Sequence, residues 1–421
     1  MSDGTAARAP LGIGIVGCGT IARTHLRALL QFPAQMRVVA LASRSPASIT
    51  GAADYLRARA EELVARAETD GTVEQAALYR EHARAAPTAY SEYAALVDDP
   101  SVDAVIVTTP PFLHHPVALA ALRAGRHVLS EKPLAVSLRE ADAMIEAARA
   151  HGLVLATVSQ GRFADEQRRM KALVKSGKLG DVFFGKADTQ WIRPPTYYEV
   201  WWRGTWSREG GGAATGQGIH LLDQALWIID KRPARVYGRI GTFVHPVPRQ
   251  RAEGGVPIED TALGIVTFAD GSMLELAAAV THHLEKSQLE LYGERGSVYA
   301  YPWTLFSVDD AVNAELARFV AEDVPPLPDA WVPKAREVDP YQRPGQNALP
   351  VWSMIPQVGD FLDAVLTGRE ALTGGAEGRR ALEVLTGLYA SAIEEQEVAL
   401  PLDPDNPYYD GVAAGLAARS A

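Results

Sequence analysis

The sequence predicts an α/β chain in two parts, an N-terminal doubly wound parallel sheet and a C-terminal α+β domain with an open, largely antiparallel sheet. Three observations carry this. Short β-branched apolar runs alternate with Ala-rich helical stretches through the first third, a glycine-rich turn closes the first of those runs, and after residue 158 longer strand-like segments follow one another.

Strands are expected at 11–16, 37–42, 103–108, 126–130 and 153–158, with helices opening after residues 20, 115 and 137. The stretch rich in Ala, Glu and Arg between Ser45 and Pro87 is longer than a β-α-β crossover needs, so an extra helical insertion is expected at about 46–87. A solvated helix pair without chemistry is its simplest reading. In the second part, a helix at 165–176 precedes strands at 181–193, 235–244, 260–268 and 272–280. Helices would cover one face of that sheet and leave the other free for self-association. Residues 301–352, rich in Pro and Trp, read as a long surface excursion, and 356–368 and 377–396 as closing helices. The expected division is a nucleotide-binding domain at 10–158 and a substrate-binding and oligomerisation domain at 159–421.

Composition narrows the function. The 421 residues are 47% hydrophobic and 22% charged, enough to bury a large core. A net charge of −10 argues against a nucleic acid partner. Cys18 is the only cysteine, which excludes an intrachain disulfide, leaves a Cys-based metal site short of ligands and fits a reducing compartment. With neither a signal-like start nor about 18 consecutive apolar residues, no membrane association and a cytoplasmic location are expected.

A literal G-x-G-x-x-G falls on Gly12, Gly14 and Gly17, but that register puts the turn inside the apolar run 13–16. The register Gly17-Cys18-Gly19-Thr20-Ile21-Ala22 follows a strand and opens a helix, as a dinucleotide fingerprint requires. Gly17 allows the sharp turn, Gly19 lets backbone approach a pyrophosphate, and Ala22 packs helix on strand. The first half is therefore read as a Rossmann domain. At the end of its second strand stands Ser43-Arg44-Ser45, with no carboxylate for a ribose 2′-hydroxyl. A guanidinium flanked by hydroxyls suits a 2′-phosphate, so NADP is favoured over NAD; Arg44 stacked on adenine would permit either.

Two further motifs end strands, where open α/β sheets bind ligands: Thr108-Thr109-Pro110 and Glu131-Lys132-Pro133. Together, IVGCGTIA at 15–22, TTPPFLHH at 108–115, EKP at 131–133, GRF at 161–163, GKLGDV at 177–182, GGGAATGQGIHLLD at 210–223 and LELYGERGSV at 289–298 resemble the glucose-fructose oxidoreductase/inositol dehydrogenase (Gfo/Idh/MocA) family. The resemblance implies a Rossmann domain, an open-sheet second domain and a homodimer or homotetramer formed through that sheet. It also implies that Lys132 sits beside the nicotinamide and the substrate hydroxyl, with an often cis bond to Pro133, and that Thr109, Pro110, His114 and Glu131 lie in the cofactor region. In the family's D-x-G-x-H element the matching residues are Gly216, Gly218 and His220, so the aspartate is missing. Asp223, three residues on along the same helix, is the expected orienter of His220.

Tyr198, in RPPTYYEVWWRG, is an alternative proton donor, because related enzymes use a tyrosine. Arg162 and Arg203 are candidate contacts to substrate hydroxyls or carboxylates, with surface exposure as the competing reading. An ordinary core or capping histidine is the competing reading of His220, and His115 is expected to be structural. The pairs His114-His115 and His282-His283 lack framing carboxylates at ligand spacing, so no metal is expected.

The expected activity is hydride transfer between NAD(P) and a hydroxyl or keto carbon of a sugar, polyol or related small molecule. Lys132 would hydrogen-bond the oxyanion and His220 would handle the proton. Alternatives are an NAD-assisted glycosidase of the same family and a non-catalytic cofactor-sensing regulator.

Overall fold

A computed structural model describes residues 9–318, 324–332 and 354–419. The first sheet has six parallel strands in the order β3-β2-β1-β4-β5-β6, where β1 is Leu11–Val16, β2 Met36–Ala42, β3 Thr88–Tyr90, β4 Ala104–Val107, β5 His127–Ser130 and β6 Leu155–Thr157. All six residues of β1 and all four of β4 are buried, as expected where helices cover both faces. Chain order reverses between β1 and β4, which opens a crevice beyond their carboxyl ends. The insertion between β2 and β3 is a helix pair, Pro46–Thr69 and Val73–Arg84. Ser45 caps the first of these by accepting from Ser48 N, and Pro46 at the first helical position needs no donor.

The second sheet has eight strands in the order β13-β12-β11-β7-β10-β9-β8-β14. They are β7 Val182–Ile192, β8 Pro233–Gly241, β9 Thr261–Phe268, β10 Met273–Ala279, β11 Thr281–Gly293, β12 Ser297–Tyr299, β13 Thr304–Phe306 and β14 Val398–Ala399. Among the described residues of this sheet only the β10–β7 pair is parallel. The helices Ile219–Ile229 and Gly375–Glu394 cover one face, and Leu388 lies close against Gly238 and Gly264.

Several features depart from the sequence reading, among them the short strand β3, which is absent from the five strands expected in the first part. The long strand β11 follows β10 after a single residue, and its pairing with β7 is interrupted between Thr281 and Lys286. The segment 301–352 is not wholly a surface excursion: it begins with β13 and the helix Asp310–Ala317, while residues 319–323 and 333–352 lie outside the described residues. Trp331 is buried against Phe163, their ring centroids 6.3 Å apart, and joins the same core as β1 and the helix Met354–Thr367. Late chain segments therefore return to pack beside the first sheet. Among the described residues no helix is long and apolar enough to cross a membrane.

Candidate active site

The glycine turn sits between β1 and the helix Thr20–Leu29. Gly17 has φ +99°, and a Cβ there would lie 2.7 Å from the Thr108 carbonyl carbon, so only glycine fits without displacement. Its N–H donates to Ala42 O at 2.8 Å, and the Thr108 hydroxyl donates to its carbonyl. At Gly19 a Cβ would meet nothing within 4 Å, so the backbone there faces open space. No side chain caps the helix that follows, which leaves its first N–H groups for an anion. The cleft has a volume of about 600 Å³ and runs from this turn past Ser43 and Thr109 to Lys132. Thr109 Oγ1, on its wall, is buried without a protein partner among the described residues. An open glycine backbone, uncapped N–H donors and an unpaired hydroxyl fit a dinucleotide.

Lys132 follows β5. The Glu131 carboxylate accepts from His25 Nε2 at 2.9 Å and from Lys132 N at 3.2 Å, so it anchors the turn from below. Burial opposes ionisation of Glu131, but His25, Lys132 and His114 together hold its carboxyl below the ordinary value. The Lys132–Pro133 peptide is cis. His114 spans the two strand-end loops, with Nδ1 2.7 Å from Pro133 O and Nε2 2.9 Å from Thr109 O, and burial lowers its pKa. Lys132 Nζ donates to Gly216 O at 2.6 Å. Burial pushes this ammonium down to about 8; Glu131 opposes the shift, and Arg203 and Arg193 reinforce it.

Gly216 lies in a π-helical turn, Ala214–Gly218, that leads into the helix Ile219–Ile229. Glu259 pins the start of the turn by accepting from Gly212 N at 2.8 Å, Ala214 N at 3.0 Å and the Tyr389 hydroxyl at 2.8 Å. Burial raises the Glu259 carboxyl to about 7. Two residues beyond the turn, His220 lines a small cavity together with Lys132. Burial, then the charges of Lys132 and Arg193, press its pKa well below the ordinary histidine value. A neutral imidazole thus shares a small cavity with the ammonium that also lines the cleft, a pairing able to accept a proton and stabilise an oxyanion.

The model of the oxidoreductase family with an NAD-binding Rossmann fold (GFO/IDH/MocA) matches residues 11–159, and the GFO/IDH/MocA C-terminal domain matches residues 167–299. The chain belongs to the Gfo/Idh/MocA family. It is 32% identical over 203 residues to a 1,5-anhydro-D-fructose reductase of Ensifer adhaerens, covering 48% of this chain and 58% of that protein. A levoglucosan dehydrogenase of Pseudarthrobacter phenanthrenivorans is 26% identical over 226 residues, covering 49% of this chain and 57% of that protein. The matches thus span little more than half of those relatives' lengths. Among solved structures, the WlbA dehydrogenase of Bordetella pertussis in complex with NADH and UDP-GlcNAcA shares the fold with TM-score 0.71 at 21% identity, over 94% of this chain and 99% of that one. Levoglucosan dehydrogenase in complex with NADH and levoglucosan does so with TM-score 0.68 at 19% identity, over 93% of this chain and all of that one.

Within this Gfo/Idh/MocA frame, several sequence expectations need correction. Asp223 does not hydrogen-bond His220: its Oδ2 and Oδ1 accept from Arg162 Nε at 2.8 Å and Nη2 at 2.6 Å. Arg162 is therefore not an open substrate contact; it is buried and also pairs with Glu377 at 2.9 Å. Tyr198 does not reach the cleft. It is buried, its ring 4.8 Å from that of His245, and burial raises its pKa far above the ordinary phenol value. Its neighbour Tyr197 lines the cleft instead, accepting from Arg203 and from Gln217 Nε2 at 3.3 Å.

Arg203 also lines the cleft, but it is paired with Glu209 at 2.6 Å and lies over Tyr197 and Trp202, which narrows its freedom to grip a substrate. Arg44 is exposed and lies 5.4 Å from the Trp201 ring, while Ser43 lines the cleft. His115 lies 3.9 Å from Glu140. Sequence reasoning missed His25, Glu209 and Glu259. Of these only His25 left a signal, a polar residue on the buried Ala22, Leu26 and Leu29 face of its helix.

Proposed function

We propose that this chain is an NAD(P)-dependent oxidoreductase that moves a hydride between the nicotinamide and a hydroxyl or keto carbon of a sugar, polyol or related small molecule. The observation that carries this reading is the place of Lys132, which lines both the cleft that begins at the glycine turn and a small cavity that it shares with His220. Residues 10–158 would hold the cofactor and 159–421 the substrate. The backbone from Gly17 to Ala22 takes the pyrophosphate, Thr109, Pro110 and His114 frame the nicotinamide end, and Ser43 and Arg44 favour NADP over NAD through a 2′-phosphate.

When bound, the cofactor supplies the hydride chemistry. The neutral His220 imidazole takes the hydroxyl proton during oxidation and returns it during reduction. Protonated Lys132, held by Gly216 O, steadies the negative charge that builds on the substrate oxygen. Tyr197 and Trp202 form the wall against which a sugar ring packs. The free, buried thiol of Cys18 fits a reducing, cytoplasmic setting. Self-association is supported by the uncovered sheet face, where Tyr237, Ile265, Leu263 and Met273 are exposed side by side on adjacent strands.

The test is to incubate the purified chain with NAD+ or NADP+ and a panel of sugars, inositols and sugar acids, following absorbance of the reduced nicotinamide. Reduction dependent on one member supports the proposal. Release of chromophore from a nitrophenyl glycoside without net cofactor turnover would instead establish the glycosidase alternative. Cofactor binding with no turnover across the panel would favour the regulator.

A further inference from the structure

The small cavity shared by Lys132 and His220 offers the centre of a water molecule about 10 Å³, close to what a single water needs. Its walls are polar on several sides, with Lys132, Thr157, Ser159, His220 and Asp223 among the lining residues. Thr157, at the end of β6, is 2% exposed, and its Oγ1 is buried with no hydrogen-bond partner among the described residues. An unmade hydrogen bond from a buried hydroxyl is costly, so such a group calls for a partner in the adjoining space. Glycine at 378 keeps that space open, since a Cβ there would lie 2.4 Å from Thr157 Oγ1.

Asp223 lines the same cavity, held rigid by its two bonds from Arg162. A carboxylate has about four acceptor sites, and Arg162 uses two. Among the described residues the His220 ring makes no hydrogen bond to protein; it packs at 6.5 Å from the Trp191 ring. The charged groups around it are Lys132 and Arg193, with Asp223 across the cavity and Arg162 and Glu377 behind that carboxylate.

We propose that one water molecule bound in this cavity, held by the Thr157 hydroxyl and the Asp223 carboxylate, hydrogen-bonds the His220 imidazole and fixes its tautomer. The water donates to Asp223 and accepts from the imidazole N–H, which leaves the other ring nitrogen unprotonated and able to take a proton. Thr157 and Asp223 are thus positioning residues, and together they supply through water what an aspartate at position 216 would supply directly. The inference deepens the proposed function, and rests on it only for the use made of His220.

Two measurements on the full chain test it, and neither needs a substrate. The first is a set of crystal structures, at a resolution that orders internal waters, of the wild type, Thr157→Ser and Thr157→Val. A water within hydrogen-bond distance of Thr157 Oγ1, Asp223 and His220 is expected in the wild type and in Thr157→Ser, and its loss in Thr157→Val. The second is 15N spectroscopy of histidine-labelled protein, with His220→Gln to assign the signal. Two well-separated ring-nitrogen shifts, those of one tautomer, are expected in the wild type and Thr157→Ser, and a shift toward averaged values in Thr157→Val. A dry cavity in the wild type overturns the proposal even if Thr157→Val fails to fold, and so does a His220 tautomer unaltered when the water is lost. Absence of turnover on every substrate would remove the oxidoreductase reading and leave both results unchanged.

Discussion

Lys132 Nζ and the Gly216 carbonyl meet at 2.6 Å, tying the strand-end turn of the first sheet to the π-helical turn that leads into the helix Ile219–Ile229. A carbonyl offers a partial charge where an aspartate would offer a full one, so the ammonium stays pushed down to about 8 by burial. Its protonated fraction, and with it the oxyanion support, falls as pH rises through that value. The rate of substrate oxidation should therefore decline above about pH 8. A Cβ at 216 would lie 3.5 Å from Tyr197 Oη, an ordinary contact, so a side chain can be introduced there as Gly216→Asp without a backbone clash. That variant should move the alkaline limb upward by about one pH unit or more. The pH profile of kcat for the two proteins checks this.

Gly17 and Gly19 should fail differently when replaced. Gly17→Ala forces a Cβ against Thr108 at φ +99°, and should destabilise the fold by about 1–3 kcal/mol. Gly19→Ala meets no protein atom, so thermal stability without cofactor should be unchanged while cofactor affinity falls by about tenfold or more, roughly 1.4 kcal/mol. Urea unfolding and a fluorescence titration with the dinucleotide separate the two effects.

The two adjacent tyrosines should separate cleanly. Tyr197→Phe removes a hydroxyl that accepts from Arg203 and Gln217 in the cleft, and should lower kcat/KM by about tenfold, near 1.4 kcal/mol. Tyr198→Phe alters a buried ring and should stay within about threefold. Steady-state kinetics on the two variants decides it, and the reverse order would restore Tyr198 as the tyrosine that matters.

Cofactor choice should follow Arg44. Arg44→Ala should weaken NADP binding by about tenfold and leave NAD binding nearly unchanged, since a guanidinium–phosphate bond contributes about 1.5–3 kcal/mol and a neutral ribose hydroxyl gains little from it. Parallel titrations with both cofactors read this directly. Equal losses would mean that Arg44 acts through stacking alone.

Five of the six strands of the first sheet and the register of the glycine turn were legible because buried parallel strands and a strand-turn-helix junction leave short-range signatures, whereas β3 is three residues long and largely exposed. Strand β11 was not, because no Gly or Pro separates it from β10 and its first residues, Thr281 to Glu285, do not alternate. Lys132 and His220 stood out through their motifs. The partner of Asp223 did not, since Arg162 lies 61 residues away and reaches it only through the packing of two elements. Tyr197 and Tyr198 are indistinguishable by type. Which of them faces the cleft is decided by the 3-10 turn Pro195–Glu199 that carries both. Trp331 looked like part of a surface excursion because its burial depends on a distant helix.

The most direct test of the central claim is single-turnover cofactor reduction by Lys132→Met, measured beside its dinucleotide affinity. A fall of about a thousandfold or more in the hydride-transfer rate, roughly 4 kcal/mol, with cofactor affinity within a few-fold of wild type, is the expected result. A rate within a few-fold of wild type would contradict the assignment of Lys132 to the reacting oxygen.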